Sequence, residues 1–143
     1  MYIICTGNTC RSPMAEAILR SKVNDKIAVR SAGIHAQNGT PIAPHAKKLI
    51  EEAGMPYTPF SRALSLEDIE WADVILTMTT SHKQALLYSF PKAEGKTFTL
   101  KGFVNPDTFE DVHDPYGGDL ETYRYTFAEL SSVIESIKEK LYK

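Results

Sequence analysis

Hydrophobic and polar residues follow two periods along this chain. Short apolar runs rich in β-branched residues alternate with longer stretches in which apolar residues recur every three or four positions. Such alternation of strand and helix patterns is typical of βαβ units built around a parallel sheet. The pattern therefore predicts an α/β protein with strands at residues 2–5, 26–30, 73–78 and 96–100.

Capping residues mark the start of two predicted helices. Ser12 is placed to cap the first helix, with Pro13 at a position where a missing N–H costs nothing. Ser65, which has Asp68 three residues after it, resembles a capping box that opens the segment LEDIEWA.

Apolar positions at helical spacing identify two further helices. One of them is ended by Gly54 and carries the stripe Ala46, Leu49, Ile50 and Ala53. The other is the last segment of the sequence, with the stripe Leu120, Tyr123, Phe127, Leu130, Ile134, Ile137 and Leu141. Because a coiled coil needs more heptads than this, burial against the sheet is the favoured interpretation of the last stripe.

The composition suits one soluble globular domain. The 143 residues are 43% hydrophobic and 24% charged, and the net charge is −2. Nothing in this balance favours disorder, binding to nucleic acid or binding to an anionic membrane surface. No apolar run approaches the ~20 residues of a membrane span, and the pattern of a secretory signal is missing. The protein is expected to be cytoplasmic. Any site that binds an anion is expected to be formed by a few neighbouring groups rather than by the overall charge.

Cys5 and Cys10 are the only cysteines. In a reducing compartment they are expected to be free thiols rather than a structural disulfide. Their spacing does not suit a zinc site, and the four histidines are scattered along the chain. No metal ion is therefore predicted.

The loop at residues 6–11 joins the first strand to the first helix, where parallel α/β sheets bind ligands. Gly7 can adopt a positive φ at no steric cost and Asn8 tolerates one, so the backbone amides of the turn can converge on an anion. The positive end of the following helix favours the same ligand.

Cys5 and Arg11 stand at the two ends of this turn. Amides that hold a phosphate also stabilise a thiolate, which makes Cys5 a nucleophile, while the planar guanidinium of Arg11 grips two phosphoryl oxygens. Ser12 can donate a hydrogen bond to the sulfur. Taken singly, Cys5 is more often a small buried hydrophobe and Arg11 a solvated residue. Their conjunction at one turn favours the catalytic interpretation.

The segment CTGNTCRSPMAE at residues 5–16 resembles the phosphate-binding loop of the low-molecular-weight protein tyrosine phosphatases. Ser31-Ala32-Gly33, the strand at 73–78 and DPYGG at 114–118 follow in the family's order, so the resemblance covers the whole chain. It implies a single domain over residues 1–143 with a four-stranded parallel sheet flanked by helices. It also implies no metal, no cofactor and a cysteinyl-phosphate intermediate. The phosphate loop would comprise Thr6, Gly7, Asn8, Thr9, Cys10 and Ser12 between and beside Cys5 and Arg11.

The resemblance makes Asp114 the general acid and, in a second step, the general base. From the residues alone, Asp111 and Asp119 in the turn-rich segment DVHDPYGGD are equal candidates.

Tyr116 is expected to form a wall of the cleft, with a packing aromatic as the alternative. Many tyrosine-directed members have a second tyrosine where this chain has Gly117, which weakens the case for phosphotyrosine.

Thr9 and Tyr116 are the predicted specificity residues. Tyrosine-directed members usually carry Ile or Leu at the position of Thr9, whereas Thr resembles the bacterial protein arginine phosphatases of the family. The sequence therefore predicts a protein phosphatase acting on phosphoarginine, with phosphotyrosine as the alternative. Its expected partners are phosphorylated proteins, with no nucleic acid and no membrane, and it is expected to be a monomer.

Two features of the loops that follow are open at this point. His35, Gln37 and Asn38 either line the opposite wall of the cleft or form plain surface loop. Pro59 stands where many relatives have a histidine that supports the phosphate loop, so that support is rebuilt in another way, for which Ser31 is a candidate.

Cys10 lies close to Cys5 along the loop, and oxidation is predicted to join them in a reversible disulfide. A passive buried thiol is the alternative.

Three rival functions fit less well. A thioredoxin-coupled arsenate reductase needs cysteines beyond Cys10, a phosphocysteine carrier has no need of Arg11, and a non-catalytic anion-binding module could lose Cys5 or Asp114.

Overall fold

The computed structural model describes residues 1–24, 26–108 and 110–142. Its centre is a parallel sheet of four strands in the order β2-β1-β3-β4. The strands are β1 (Tyr2–Cys5), β2 (Arg30–Gly33), β3 (Ile75–Thr77) and β4 (Thr97–Thr99). The predicted α/β fold with a four-stranded parallel sheet is confirmed.

Helices connect the strands and cover both faces of the sheet. They are α1 (Arg11–Lys22), α2 (Pro44–Glu52), α3 (Leu66–Trp71), α4 (Thr80–Ser89), α5 (Leu100–Val104) and α6 (Leu120–Leu141), with a 3₁₀ helix at Pro91–Lys96. Within the described residues, none of these helices is both long and apolar enough to cross a membrane.

The alternating side chains of β1 divide the core into two clusters. Ile3 and Cys5 belong to the larger cluster, which is completed by α1, α2, α5 and α6. Tyr2 and Ile4 face the smaller cluster, which contains Ile69 of α3 and Leu86 of α4. All four residues of β1 are buried. Strand β1 therefore holds Cys5 at its carboxyl end in a rigid part of the molecule.

The second strand lies further along the chain than the sequence pattern predicted. Pairing with β1 runs from Tyr2 with Arg30 to Cys5 with Gly33, so the predicted strand at 26–30 is wrong except at its last residue. Ile27 and Val29 pack against the core without pairing, which explains their apolar character. A Cβ on Gly33 would lie 2.5 Å from the Thr6 carbonyl oxygen, so only glycine lets β2 approach the loop this closely.

The start of α1 also differs from the prediction. The helix begins at Arg11, and Cys10 rather than Ser12 occupies the N-cap position. The Cys10 side chain makes no capping hydrogen bond to the helix. Pro13 is still in the first turn, where its missing N–H leaves no intrahelical bond unmade. The Ser12 hydroxyl contacts the Cys5 sulfur instead of capping the helix.

The other predicted helix signals are confirmed, one of them in part. Ala53 caps the end of α2 and Gly54 follows with φ of 68°. Ser65 caps α3 by accepting from the Asp68 amide, but the Asp68 carboxylate pairs with Arg30 at 2.6 Å rather than completing a capping box. The buried stripe of α6 contains Tyr123, Leu130, Ile134 and Ile137.

Helices α4 and α5 were missed by the sequence interpretation. Each has a threonine cap, since the Thr79 hydroxyl accepts from the His82 amide and the Thr99 hydroxyl from the Gly102 amide. The available signals were Thr79, directly after the predicted strand at 73–78, and Thr99, near the end of the predicted strand at 96–100.

Candidate active site

A cleft of about 190 Å³ opens at the carboxyl end of β1. Its walls come from the loop between β1 and α1 and from the segment before α6. The lining residues are Cys5, Thr6, Gly7, Thr9, Cys10, Arg11, Asp114 and Tyr116. The structure thus brings the predicted nucleophile, arginine, acid and specificity residues to one place.

The loop curls around the Cys5 sulfur. The positive φ expected in this turn falls on Asn8, at 54°, and not on Gly7. The Asn8 amide donates to Cys5 Sγ at 3.2 Å. Helix α1 begins directly after this turn, so the positive end of its dipole faces the cleft. Both features favour negative charge at the sulfur and on a ligand above it.

The Asn8 side chain braces the loop from inside. It is 2% exposed and its Nδ2 donates to Ser12 Oγ at 2.7 Å and to Ser31 Oγ at 2.9 Å. Its Oδ1 accepts from the Arg62 amide at 2.8 Å. Ser31 thus takes part in supporting the loop, whereas Pro59 is exposed. The central role of Asn8 in this support was not predicted.

The Ser12 hydroxyl is placed to donate to the Cys5 sulfur. Its hydroxyl oxygen accepts from Asn8 and lies 2.8 Å from Cys5 Sγ. Because the oxygen already accepts a hydrogen bond from the amide, its own hydrogen is free for the sulfur. A thiolate at Cys5 is therefore contacted by one hydroxyl and one backbone amide.

Arg11 spans the floor of the cleft. It is 5% exposed, its Nη1 donates to the Val112 carbonyl at 3.1 Å and its Nη2 lies 3.5 Å from Asp114 Oδ2. Because the Asp114 side chain is 54% exposed, this ion pair adds little to stability. Its main effect is to hold the guanidinium and the carboxylate side by side in the cleft.

Three aspartates were candidates for the acid, and the structure separates them. Asp111 accepts from the Thr80 amide at 2.8 Å, and Asp119 caps α6 by accepting from Thr122. The bonds from Thr122 lower the pKa of Asp119. Asp114 is the member of the three that lines the cleft. The Tyr116 amide donates to Asp114 Oδ1 at 3.0 Å and so orients the carboxylate.

Cys10 also lines the cleft, and its sulfur lies 3.2 Å from the Tyr123 hydroxyl. Burial raises the pKa of the Cys10 thiol, which disfavours its thiolate. Burial and the neighbouring Cys10 likewise raise the pKa of Tyr123 above its ordinary value. The contact with Cys10 was not predicted, because the helical stripe assigned Tyr123 to the core alone.

His82 is a second residue near the site that the sequence interpretation missed. It lies on α4, 9% exposed, and its Nε2 is 2.7 Å from the Thr6 hydroxyl oxygen. Burial, reinforced by the charge of Arg11, lowers the pKa of His82 to about 4. The ring is therefore neutral at physiological pH.

The loop after β2 does not form the opposite wall of the cleft. None of His35, Gln37 and Asn38 is among the lining residues. Asn38 Oδ1 accepts from the Ala63 amide at 2.8 Å, and the His35 amide donates to the Thr6 carbonyl. This loop instead anchors the phosphate loop from behind.

Across the described parts of the chain, no group of three or more His, Cys, Asp or Glu side chains is arranged to hold a metal ion. The charged groups of the cleft are instead those of a site for a phosphoryl group: an ionisable thiol, a buried guanidinium and a carboxylate. A sequence model of the low molecular weight phosphotyrosine protein phosphatase family matches residues 1–143. The chain belongs to this family.

Relatives of this phosphatase carry two kinds of name. This chain is 45% identical over 141 residues to a protein-arginine-phosphatase of Geobacillus stearothermophilus, and the alignment covers 99% of this chain and 95% of that protein. It is 37% identical over 141 residues to the low molecular weight protein-tyrosine-phosphatase PtpB of Staphylococcus epidermidis, covering 98% of this chain and 97% of that one.

A solved structure of the same fold is similar along nearly its whole length. It is a cysteine-to-serine mutant of the YwlE arginine phosphatase with a phosphorylated active-site serine. The phosphatase superposes on it with a TM-score of 0.94 at 37% identity, covering 99% of this chain and 95% of that chain.

Proposed function

We propose that this phosphatase removes the phosphoryl group from phosphoarginine in proteins through a cysteinyl-phosphate intermediate. The observation that carries the substrate class is the near full-length similarity to a relative named protein-arginine-phosphatase. The thiol, guanidinium and carboxylate around one cleft support the chemistry.

In the first step, Cys5 Sγ attacks phosphorus and the bond from phosphorus to the guanidinium nitrogen breaks. Asp114 delivers a proton to that nitrogen, because an unprotonated guanidine leaves poorly. Arg11 and the loop amides hold the equatorial oxygens as their charge redistributes. Arg11 and Asp114 both line the cleft, which supports their acting on one bound phosphoryl group.

In the second step, water attacks the cysteinyl phosphate and the bond from sulfur to phosphorus breaks. Asp114, now a carboxylate, takes a proton from the water. The Ser12 hydroxyl, 2.8 Å from the sulfur, donates a hydrogen bond to the departing thiolate. Inorganic phosphate and the original thiolate are the products, so protons and bonds balance over the cycle.

Thr9 and Tyr116 are the proposed determinants of the substrate class. Both residues line the cleft. The side chain of Tyr116 is 79% exposed, so its ring is accessible to a substrate bound in the cleft. Thr9 is half-buried and offers a hydroxyl where an apolar side chain would favour a flat ring. Phosphotyrosine is the second candidate, supported by the tyrosine phosphatase names among the relatives.

Substitution Thr9→Ile is expected to shift the preference towards phosphotyrosine. We expect the ratio of kcat/KM for a phosphoarginine peptide over a phosphotyrosine peptide to fall by about 10-fold to 200-fold, the scale of a change in one apolar contact. Thr40→Ile, on an exposed loop outside the cleft, is the matched control and should leave the ratio unchanged. A parent enzyme that prefers the phosphotyrosine peptide would contradict the proposed substrate.

We also propose a disulfide between Cys5 and Cys10 under oxidation. The Cys5 thiolate attacks one oxygen of hydrogen peroxide, the O–O bond breaks and hydroxide leaves, so that Cys5 becomes a sulfenic acid. The Cys10 thiolate then attacks the Cys5 sulfur and displaces hydroxide as the S–S bond forms. Both sulfurs line one cleft, which supports the pairing. The raised pKa of Cys10 keeps the resolving group mostly protonated in the reduced enzyme.

The variant Cys10→Ser is expected to recover less activity than the parent when dithiothreitol follows peroxide, because its Cys5 proceeds to irreversible oxidation. In the parent, closure should accelerate as pH rises towards the raised pKa of Cys10, since the attacking thiolate then increases. Recovered activity and the count of free thiols measure the two effects. Equal recovery of parent and variant would remove the disulfide from the proposal.

The protein is proposed to act as a cytoplasmic monomer on phosphorylated proteins, without nucleic acid or membrane. Support for the monomer comes from the proposed chemistry, because one chain supplies the thiol, the guanidinium and the carboxylate that it uses. The net charge of −2 supports a site that selects a phosphoryl group locally rather than polyanions in general.

A further inference from the structure

His82 and Thr6 form a pair at the rim of the cleft that the two-step chemistry does not use. Thr6 directly follows Cys5 and lines the cleft. His82 comes from α4, the helix that follows β3 in the chain. Their side chains meet at 2.7 Å. Among the described residues, no other side chain is hydrogen-bonded to the Thr6 hydroxyl.

The second ring nitrogen of His82 settles which partner donates. Nδ1 is buried and has no hydrogen-bond partner within the described parts of the chain. A neutral imidazole carries one hydrogen, either on Nδ1 or on Nε2. An orphaned N–H is rarer in buried sites than an unsatisfied acceptor, so the hydrogen is favoured on Nε2. His82 then donates to Thr6 Oγ1.

This direction of bonding leaves the Thr6 hydroxyl with its own hydrogen to give. A hydroxyl has one hydrogen and two acceptor sites, and His82 occupies one of the latter. Among the described residues, the Thr6 hydroxyl has no hydrogen-bond partner other than His82. Thr6 is exposed and lines the cleft, so its hydrogen is available to a ligand bound there. A phosphoryl oxygen is the acceptor that this cleft is built to receive.

We propose that His82 is a positioning residue that makes the Thr6 hydroxyl a hydrogen-bond donor to a phosphoryl oxygen of the bound substrate. The inference rests on the proposed phosphatase function and adds a side-chain donor to the backbone amides and Arg11. Because the neutral ring carries no charge, it holds Thr6 without repelling the nearby guanidinium.

A double-mutant cycle tests the pair. Thr6→Val replaces the hydroxyl by a methyl group of similar size, and His82→Leu removes the donor that orients it. We expect each variant to lower kcat/KM by about 10-fold or more, the scale of a hydrogen bond to a charged group. The double variant is expected to be no worse than Thr6→Val alone, because His82 acts through Thr6.

Two conservative variants separate positioning from packing. Gln can place its amide nitrogen near the position of the His82 Nε2, so His82→Gln should retain most of the activity that His82→Leu loses. Thr6→Ser should retain most of the activity that Thr6→Val loses. Leu86→Ala, which removes the fully buried side chain one turn further along α4, should lower the melting temperature without lowering kcat/KM. These three variants also keep the test valid if His82→Leu does not fold.

Inhibition by inorganic phosphate measures contacts to the phosphoryl oxygens alone, because phosphate carries no leaving group. Thr6→Val and His82→Leu are both expected to raise its inhibition constant, while Leu86→Ala is not. Additive losses in the cycle, or Thr6→Val with unchanged kcat/KM and unchanged phosphate inhibition, would overturn the inference.

The substrate class is decided separately from the pair. All variants are assayed on a phosphoarginine peptide and on p-nitrophenyl phosphate. A parent that fails on the peptide contradicts the proposed substrate, yet the cycle on p-nitrophenyl phosphate still decides whether His82 acts through Thr6.

Discussion

Replacement Cys5→Ser is expected to lower hydrolysis of every phosphorylated substrate by at least about 10⁴-fold, because a serine hydroxyl is a much weaker nucleophile than a cysteine sulfur. The variant keeps the shape of the site, since the loop is braced by Asn8 through bonds to Ser12, Ser31 and the Arg62 amide rather than by the sulfur. Steady-state kinetics on p-nitrophenyl phosphate measure the loss.

Two further measurements make this test strict. Rapid acid quench of the parent during turnover should yield phosphate covalently attached to the peptide that contains Cys5. Binding of inorganic phosphate to Cys5→Ser should persist, because Arg11 and the backbone amides are unchanged. A Cys5→Ser protein with substantial activity would refute the covalent mechanism.

Replacement Asp114→Asn is expected to lower kcat on a phosphoarginine peptide by about 10²-fold to 10⁴-fold, the usual contribution of a positioned acid. The loss should be smaller on p-nitrophenyl phosphate, whose leaving group departs readily without a proton. This dependence on the leaving group distinguishes loss of an acid from loss of a binding contact. Single-turnover rates on the two substrates measure it.

The neighbouring aspartates provide matched controls for Asp114→Asn. Asp111 bonds the start of α4 and Asp119 caps α6, and both lie outside the lining of the cleft. Asp111→Asn and Asp119→Asn should change kcat by only a few-fold and act mainly on stability, because each removes a hydrogen bond at the start of a helix. If either one caused the larger loss, the acid would be assigned to the wrong residue.

The carboxylate could not be chosen from the sequence without a family resemblance. Asp111, Asp114 and Asp119 share one turn-rich segment, and residue type alone does not say which points into the cleft. The choice depends on the anchoring of Val112, whose amide donates to the Met78 carbonyl at the end of β3 and whose carbonyl accepts from Arg11. Those bonds join parts of the chain that are far apart in sequence.

The second strand shows the same limit for the fold. Ile27 and Val29 have the character of strand residues, but they pack beside the sheet, and the small residues Ser31, Ala32 and Gly33 pair with β1 instead. Close approach of the loop to Gly33 decides this register, and local propensity contains no information about it.

The sequence by itself determined the alternation of strands and helices, the stripe of α6, and the placing of Cys5 and Arg11 at two ends of one tight turn. These features follow from periodicity, turn chemistry and short spacing, all of which act within a few residues of the chain. The tertiary structure alone decided that Asp114 faces Arg11, that Tyr123 reaches Cys10, and that His82 reaches Thr6. Each of these contacts joins segments separated by at least 76 residues, so its geometry depends on how the sheet and helices pack, not on local pattern.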